Sequence, residues 1–297
     1  MGTFLFEKIC CLDSVGWLIS YCTSRWVIVE HVPSRWKSWV VKNLLSGTAL
    51  PVIIEQLTLN GFDAKTVRSL LGSNLPEKHV FDRDIEFYRK LAFPAFLHQP
   101  SNQNVSCLYD EEQIQLYRVD DFLPADECHE VISLSSSKLT PSKLTGAPST
   151  AGIRTSSTCE LAFMQSELVT SIDSRVVNFL DLGVGEKEVI QAQHYEEGQY
   201  FKPHFDFFPP GTPQYLEHAK TRGQRTWTCM IYLDDVMEGG HTHFTKIGLS
   251  IKPRRGAALI WNNLTQTGAP NFNTLHYAEP VTTGNKNVIT KWFRDRN

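Results

Sequence analysis

A histidine and an aspartate two positions apart, His204 and Asp206, are the residues whose types and spacing point most directly to chemistry. Side chains alternate between the two faces of an extended strand, so residues i and i+2 point the same way. One imidazole and one carboxylate supply two thirds of the triad that holds non-haem Fe(II) and leaves coordination positions open. The third ligand must then come from a distant histidine, and His276 is the best candidate.

A lysine ten residues after His276, Lys286, adds to this interpretation. Between the two, Pro280 and the polar stretch 282–285 indicate a break between two strands. A hairpin at this break would bring Lys286 back beside His276, and a cation near an iron with open positions suits a dicarboxylate co-substrate. Trp292 has the same strand parity as Lys286, so we expect it to form a wall of that pocket.

Further motifs follow one another along the second half of the chain. They are Asp121-Phe122-Leu123 before Glu127-Cys128, Arg154-Thr155-Ser156-Ser157, Tyr195 with Gly198 through Asp206, Arg225, Gly239 through Phe244, and His276 through Trp292. In this order the motifs resemble the prolyl 4-hydroxylase branch of the Fe(II)/2-oxoglutarate dioxygenases, from roughly Tyr117 to the C-terminus. The resemblance implies Fe(II), 2-oxoglutarate, O2 and ascorbate as cofactors and co-substrates. It also implies a proline-containing peptide as substrate, hydroxylated to 4-hydroxyproline with release of succinate and CO2.

The resemblance further implies a role for each matching side chain. The metal ligands are His204, Asp206 and His276. Lys286 pairs with the distal carboxylate of 2-oxoglutarate, and Tyr195, Thr242 and Trp292 complete the co-substrate contacts, since hydrogen bonds to an ionised carboxylate are strong. The residues at family positions around the peptide groove are Arg154, Ser156, Glu188, Phe201 and Arg225. No catalytic residue is expected beyond the metal centre.

Phe201 departs from the family pattern, which usually has a tyrosine three residues before the iron-binding histidine. Here Tyr200 stands one place earlier and has the opposite strand parity. Loss of the hydroxyl group should weaken polar contacts to the peptide and leave iron binding unchanged. The departure therefore bears on the choice of substrate more than on the chemistry.

Other histidines compete for the role of metal ligand. His194 and Glu196 also form a His-x-carboxylate pair, but their parity is opposite to that of Tyr195, which the family match turns toward the co-substrate. His194 and Glu196 should therefore face away from the site. His218 lies in the proline-rich insertion 209–222 and is expected to be solvated.

His241 and His243 are a stronger rival pair, because two histidines at i and i+2 could bind Zn or Cu. Thr242 lies between them on the other strand face, and the family match turns Thr242 inward. The two histidines are then expected to point away from the iron.

Composition limits the classes of protein to which the chain can belong. The formal charge of −3 argues against a general polyanion binder, so we expect no nucleic-acid partner. The seven cysteines show neither metal-ligand spacing nor a dense disulfide framework, which favours a reducing compartment and predicts a cytoplasmic location. No apolar run reaches the roughly 18 residues of a membrane span, so no membrane association is expected.

Hydrophobic periodicity predicts an α+β fold. Short strands are predicted at 188–195, 200–206, 225–233, 241–244, 248–252, 256–261, 274–281 and 286–293, after helices near 124–136 and 166–182. This order indicates a double-stranded β-helix core of the jelly-roll or cupin-like type, with buttressing helices and a small helical N-terminal region before it.

The predicted domains follow from the same pattern. They are an N-terminal segment of unclear role at 1–45, a small helical module at 46–75, a linker at 76–110, and a prolyl-4-hydroxylase-like catalytic domain at 111–297 with its oxygenase core at about 187–295. Residues 1–72 could dock a protein partner. The loop 138–152 and the insertion 209–222 are candidate lids over the substrate.

Two other functions stay open at this point. The chain could be a 2-oxoglutarate oxygenase acting on a free amino acid or another small molecule, which would need a closed pocket. It could also be a non-catalytic jelly-roll binding module, but such modules usually lose a metal ligand or the co-substrate lysine. Both kinds of residue are present here.

Overall fold

Helices dominate the first part of the chain and strands the second. The computed structural model describes residues 32–60, 62–79, 81, 83–97, 104–142, 152–161, 165–183 and 188–296. The α-helices are α1 (Ser34–Leu45), α2 (Leu50–Leu59), α3 (Ala64–Leu71), α4 (Ile85–Leu91), α5 (Ala125–Ser136), α6 (Glu167–Leu180) and α7 (Lys220–Arg222). The strands are β1 (Val105–Cys107), β2 (Leu116–Val119), β3 (Thr140–Pro141), β4 (Ser157–Glu160), β5 (Gln191–Tyr195), β6 (Phe201–His204), β7 (Arg225–Tyr232), β8 (Glu238–Gly239), β9 (Thr242–Phe244), β10 (Leu249–Ile251), β11 (Ala258–Asn262), β12 (His276–Ala278), β13 (Val281–Thr283) and β14 (Lys286–Arg294).

Two antiparallel sheets form the core of the strand-rich part. The major sheet has eight strands in the order β1-β2-β11-β7-β14-β5-β4-β3, and the minor sheet has four in the order β10-β9-β12-β6. Apolar side chains of both sheets meet in one cluster, with Phe244 from the minor sheet and Tyr232 and Val288 from the major sheet among its members. This arrangement confirms the predicted double-stranded β-helix.

The major sheet is buried on both faces, as β7 illustrates. Trp227, Cys229 and Ile231 belong to the apolar cluster that α5 and α6 cover. Met230 and Tyr232 alternate with them and belong to the cluster between the two sheets. A strand covered on both faces is apolar nearly throughout, which explains why β7 is recognisable in the sequence.

The predicted hairpin between His276 and Lys286 is wrong. β12, which begins at His276, pairs with β6 and β9 of the minor sheet, whereas β14, which begins at Lys286, pairs with β5 and β7 of the major sheet. Between them β13 pairs with β8. The chain crosses from one sheet to the other because Val281 pairs with Gly239 and does not return along β12. His276 and Lys286 therefore approach one cavity from opposite sheets.

The N-terminal helices form their own small core. Val40 of α1, Ile53 and Leu57 of α2, and Val67 and Leu71 of α3 pack together. Asp63 accepts a hydrogen bond from Thr66 N–H at the start of α3, and Gly72 ends the helix with a positive φ. The predicted boundary at residue 45 falls at the end of α1, inside this cluster, and residues 1–31 lie outside the described chain.

The predicted linker 76–110 packs against the catalytic domain. Trp227 Nε1 donates to the carbonyl of Leu91 at 3.0 Å, and Phe96 is buried against Trp227 and Phe179. Tyr88 donates to Asp295 Oδ2 at 2.7 Å. The segment from 83 to 97 is thus a structural part of the strand-rich domain.

The two candidate lids differ in how much of them the structure describes. In the loop 138–152, residues 143–151 lie outside the described chain. The insertion 209–222 contains a π-helical turn, Tyr215–Ala219, followed directly by α7. Tyr215 donates to Glu55 Oε1 of α2 at 2.6 Å, so the insertion contacts the N-terminal helices. Within the residues described, no helix is long and apolar enough to cross a bilayer.

Candidate functional site

The side chains of His204, Asp206 and His276 lie close together at the paired strands β6 and β12 of the minor sheet. β6 and β12 pair so that His276 lies opposite His204, and Asp206 follows two residues after β6 ends. One potential ligand atom from each of the three lies within 4.8 Å of the others. The distance from His204 Nε2 to Asp206 Oδ1 is 3.8 Å. Two imidazoles and one carboxylate are the donor set of a non-haem Fe(II) centre, so these residues fit that metal.

Backbone carbonyls orient both imidazoles for metal binding. His204 Nδ1 bonds to the carbonyl of Lys202 at 2.8 Å, and His276 Nδ1 bonds to that of Thr274 at 2.9 Å. A carbonyl only accepts, so each Nδ1 carries the proton and each Nε2 keeps a free lone pair. Burial, together with nearby His276, lowers the pKa of His204 to about 3, which keeps this imidazole neutral. Burial alone would raise the pKa of Asp206, but the two histidines outweigh it and the pKa lies below its usual value.

A chain of hydrogen bonds fixes the Asp206 carboxylate. Thr228 Oγ1 donates to Asp206 Oδ2 at 2.8 Å, and Asn263 Nδ2 donates to Thr228 Oγ1 at 2.8 Å. Trp261 Nε1 in turn donates to Asn263 Oδ1 at 3.0 Å. Because Oδ2 is held, Oδ1 is left to face the metal position. Sequence reasoning missed Thr228 and Asn263, and the only available signal for Thr228 was its position on the predicted strand 225–233.

A cavity of about 520 Å³ opens from the metal cluster and lies between the two sheets. Lys286, Val288, Thr290 and Trp292 all line it, which confirms that these alternate residues of β14 face one side. Six residues along a strand span about 20 Å, so Lys286 and Trp292 mark opposite ends of the cavity.

Lys286 lies at the inner end of this cavity and is 1 % exposed. Its Nζ donates to the carbonyl of Gly240 at 2.6 Å and lies 3.5 Å from Thr242 Oγ1. The rings of Tyr195 and Tyr232 each have their centroid 5.6 Å from Nζ. All of these partners are uncharged, so none of them neutralises the ammonium group, which can pair with the carboxylate of a ligand.

Burial lowers the pKa of Lys286 to about 7, although Asp234 and Glu279 act in the opposite direction. A carboxylate bound beside the ammonium group would restore the charged form. Gly240, whose carbonyl receives the hydrogen bond, has a φ of +67°. A side chain there would be strained at this φ, and its Cβ would lie 3.2 Å from Val236 Cγ1, so glycine is favoured at this turn.

Two of the other predicted co-substrate contacts, Tyr195 and Thr242, lie beside Lys286, whereas Trp292 does not. Tyr195 donates to Gln193 Oε1 at 3.1 Å, and Thr242 accepts from Tyr232 at 2.7 Å, a residue that sequence reasoning did not identify. Trp292 lies away from Lys286, near Asp206. The buried Trp292 Nε1 has no hydrogen-bond partner among the described residues.

Arg154 and Phe201 form the wall of the cavity beside the metal cluster. They face each other through a β-bridge, and the guanidinium of Arg154 lies 4.7 Å from the centroid of the Phe201 ring. The Phe201 ring stacks on the imidazole of His204 with 3.6 Å between centroids. Arg154 Nε donates to Ser156 Oγ at 2.9 Å, whereas its buried Nη2 has no partner in the described chain. This leaves Arg154 one donor for a ligand.

Glu188 and Arg225 are bound to each other at the opposite wall. Both carboxylate oxygens of Glu188 accept from Arg225 at 2.6 Å, and Arg294 Nε adds a third contact at 2.9 Å. Burial would raise the pKa of Glu188, but the two arginines outweigh it and the pKa lies below its usual value. The Arg225 guanidinium also stacks over Trp292, 4.1 Å from the ring centroid. The two predicted groove residues thus line the cavity as an ion pair with Arg294, a partner that the sequence did not reveal.

The rival histidines lie outside the metal cluster. His194 Nδ1 bonds to Asn287 Oδ1 at 2.7 Å and does not line the cavity. His218 was expected to be solvated, and this is wrong, because its ring packs against Phe208 at 5.3 Å and its Nε2 is buried. His241 and His243 point away from Thr242 and contact Glu279 instead.

Comparisons with known proteins agree with this geometry. A family model described as the 2OG-Fe(II) oxygenase superfamily matches residues 190–294. Prolyl 4-hydroxylase subunit alpha-1 of Gallus gallus is 33 % identical over 225 residues, which cover 74 % of this chain and 42 % of that protein. Probable prolyl 4-hydroxylase 3 of Arabidopsis thaliana is 30 % identical over 235 residues, which cover 71 % of this chain and 79 % of that protein.

Among solved structures, the viral collagen prolyl hydroxylase of Paramecium Bursaria Chlorella virus-1 in complex with 2OG matches with a TM-score of 0.48 and 25 % identity. The match covers 60 % of this chain and 95 % of the viral one. The chain spans about two fifths of the length of the vertebrate alpha-1 subunits that it matches.

Proposed function

Since the chain belongs to the prolyl 4-hydroxylase branch of the 2OG-Fe(II) oxygenase superfamily, we propose that it hydroxylates peptidyl proline to 4-hydroxyproline. In this reaction 2-oxoglutarate is converted to succinate and CO2. The observation that carries the proposal is one cavity with a His-Asp-His cluster at one position and, at another, a buried lysine that forms no ion pair with a carboxylate of the described residues. A 2-oxoglutarate oxygenase needs both features within reach of one small dicarboxylate.

Fe(II) would be held by His204, Asp206 and His276 through two Nε2 atoms and one carboxylate oxygen. When bound, it supplies the activation of O2 that is coupled to decarboxylation of 2-oxoglutarate. The protein holds both imidazoles in the metal-binding tautomer through backbone carbonyls. Thr228 keeps the carboxylate from rotating, since it holds one of its two oxygens. Ascorbate would keep the iron reduced.

Lys286 would bind the distal carboxylate of 2-oxoglutarate. Its ammonium group is anchored by Gly240 O, so it needs little reorganisation before it meets the ligand. Thr242 Oγ1 accepts from Tyr232, so its own hydroxyl hydrogen can be donated to the same carboxylate. A charge-assisted contact in this buried place is stronger than a neutral hydrogen bond.

Arg154, Ser156 and Phe201 would bind the peptide. The unpartnered Nη2 of Arg154 is a donor suited to a peptide carbonyl, and the Phe201 ring offers an apolar surface next to the metal position. Glu188 and Arg225 would shape the opposite wall as a pair, because each already has its charge satisfied. A phenylalanine in place of the usual tyrosine leaves the peptide with fewer polar contacts at this point.

Succinate release tests the proposal. Purified protein with Fe(II), 2-oxoglutarate and ascorbate should release succinate faster when poly-proline-type peptides are added, and the peptides should gain 16 mass units per hydroxylated proline. Asp206→Ala should abolish both signals, because a metal ligand is lost. Stimulation by free amino acids alone would favour a small-molecule oxygenase, and no turnover with any substrate in a protein that binds Fe(II) would favour a binding module.

We also propose a partner surface and a location for the protein, each from one observation. Residues 1–72 are proposed as a docking element, and in the described part of them Val41 and Leu45 of α1 expose 54 % and 85 % of their surface. A cytoplasmic location is proposed because Cys107, Cys128 and Cys159 are among the described cysteines that are free thiols.

A further inference from the structure

A second group of metal-ligating side chains lies on the outer face of the minor sheet. His241 and His243 flank Thr242 at the start of β9, so both imidazoles point to the face opposite the cavity. Glu279 follows β12, and its backbone N–H donates to the carbonyl of His241 at 2.9 Å. The antiparallel pairing thus places one carboxylate directly across from two imidazoles.

The three side chains converge on one point. Glu279 Oε2 lies 2.7 Å from His241 Nδ1 and 3.2 Å from His243 Nε2. One potential ligand atom from each residue lies within 4.8 Å of the others. Any two ligand atoms of a tetrahedral Zn(II) site are about 3.3 Å apart when the bonds to zinc are about 2.0–2.1 Å long. The two distances to Glu279 Oε2 differ from this by about 0.6 and 0.1 Å, which small rotations of the side chains would cover.

Neighbouring contacts hold this arrangement and leave it accessible. The His243 ring stacks on Tyr277 with 4.5 Å between centroids and 7° between planes, which fixes the direction of Nε2. The side chains of His241, His243 and Glu279 are 32 %, 23 % and 35 % exposed. An ion can therefore enter from solvent, and a water molecule can complete the coordination.

We propose that His241, His243 and Glu279 bind a divalent cation of the Zn(II) type at a site separate from the iron centre. The ion would replace the protons that now bridge the imidazoles to the carboxylate. It would link β9, which carries Thr242, to the end of β12, which begins with His276. The proposal concerns the outer face of the sheet and does not depend on the oxygenase reaction.

Zinc stoichiometry tests the site on the full chain. Protein stripped by a chelator is dialysed against micromolar Zn(II), and its metal content is measured. Zn(II) should also occupy the iron ligands, so both sites contribute to the count. We expect two zinc ions per chain in the wild type and one in His243→Ala. The variant Asp206→Ala/His276→Ala should keep one zinc ion, and its combination with His243→Ala should keep none.

Two further variants make the result specific. Glu279→Gln preserves the size and hydrogen bonding of the side chain but removes its charge, so zinc affinity at the second site should fall at least tenfold. His129→Ala removes an exposed histidine of α5 and should leave two zinc ions bound. Circular dichroism confirms that each variant is folded. A wild type that binds one zinc ion, together with a folded Asp206→Ala/His276→Ala protein that binds none, would overturn the proposal.

Discussion

We propose that the charge of Lys286 decides how well the cavity binds a dicarboxylate. It is buried, anchored to Gly240 O, and has a pKa of about 7 where an exposed lysine would have about 10.4. Below this pKa the ammonium form predominates, and above it the free protein loses the charge. The bound carboxylate favours the charged form, so binding and protonation are coupled.

We therefore predict that 2-oxoglutarate binding weakens as the pH rises above 7. The dissociation constant should increase by about tenfold for each pH unit between 8 and 9, since the charged fraction of the free lysine falls by that factor. Anaerobic calorimetry with Fe(II)-loaded protein measures it. Lys286→Arg is the matched control, because its guanidinium stays charged and its weaker binding should not vary over this range. An unchanged constant in the wild type from pH 7 to 9 would contradict the role of Lys286.

The hydrogen bond from Thr228 to Asp206 gives a second prediction at this scale. Thr228→Val should raise the dissociation constant for Fe(II) by about 10- to 100-fold, because groups that hold a metal ligand contribute this much to affinity. Thr226→Val is the control on the same strand, since Thr226 is also buried and donates to the carbonyl of Phe293, away from the metal. Equal losses of Fe(II) affinity in the two variants would mean that the effect is general destabilisation.

Strand parity explains what the sequence could predict about the site. His204 with Asp206, and Lys286 with Trp292, face the cavity because residues two or six apart share a strand face. The rest depends on contacts between distant parts of the chain. Glu188 binds Arg294, 106 residues away, and this pairing leaves no trace in either local pattern. The false hairpin has the same origin, since turn residues after Pro280 show that a strand ends but not which sheet the next one joins.

The insertion 209–222 shows how one element connects the two parts of the chain. Its π-helical turn presents Tyr215 to Glu55 of α2, while Arg294 Nη1 donates to the carbonyl of Gly223 directly after α7. Pro209 and Gln214 of the insertion also line the cavity. A change at the contact with α2 should therefore affect substrate binding in the cavity more than metal binding.

Tyr215→Phe tests this connection. Loss of the bond to Glu55 should lower the free energy of unfolding by about 0.5–1.5 kcal/mol and raise the KM for peptide, with the KM for 2-oxoglutarate unchanged. Chemical denaturation and steady-state kinetics measure the two effects. Glu55→Gln keeps an acceptor for the tyrosine and should behave like the wild type in both. A rise in both KM values for Tyr215→Phe would show that the insertion acts on the whole cavity.

At the scale of the whole molecule, the segment before the predicted catalytic domain completes its core. Phe96 is 2 % exposed, and the Leu91 carbonyl satisfies the indole of the fully buried Trp227. Polar residues and prolines between 76 and 104 suggested a linker in the sequence. The composition of this stretch hides its role, because only a few of its side chains enter the core and its other contacts are made by polar side chains and backbone carbonyl groups.

We predict that a fragment of residues 111–297 is not stably folded, whereas residues 76–297 are. The shorter fragment leaves Trp227 without its acceptor and exposes the surface that Phe96 covers, which together should cost more than about 4 kcal/mol. Thermal unfolding followed by circular dichroism compares the two fragments. A cooperative transition in 111–297 at the temperature found for 76–297 would contradict this view of the segment.

In the described chain, the hydrogen bond of Tyr215 to Glu55 and the packing of residues 83–97 connect the N-terminal helices to the strand-rich part. A protein held by those helices would consequently be presented to the iron at a set distance and angle. Which of its prolines is modified would then depend on how far each lies along the bound protein from the point of attachment.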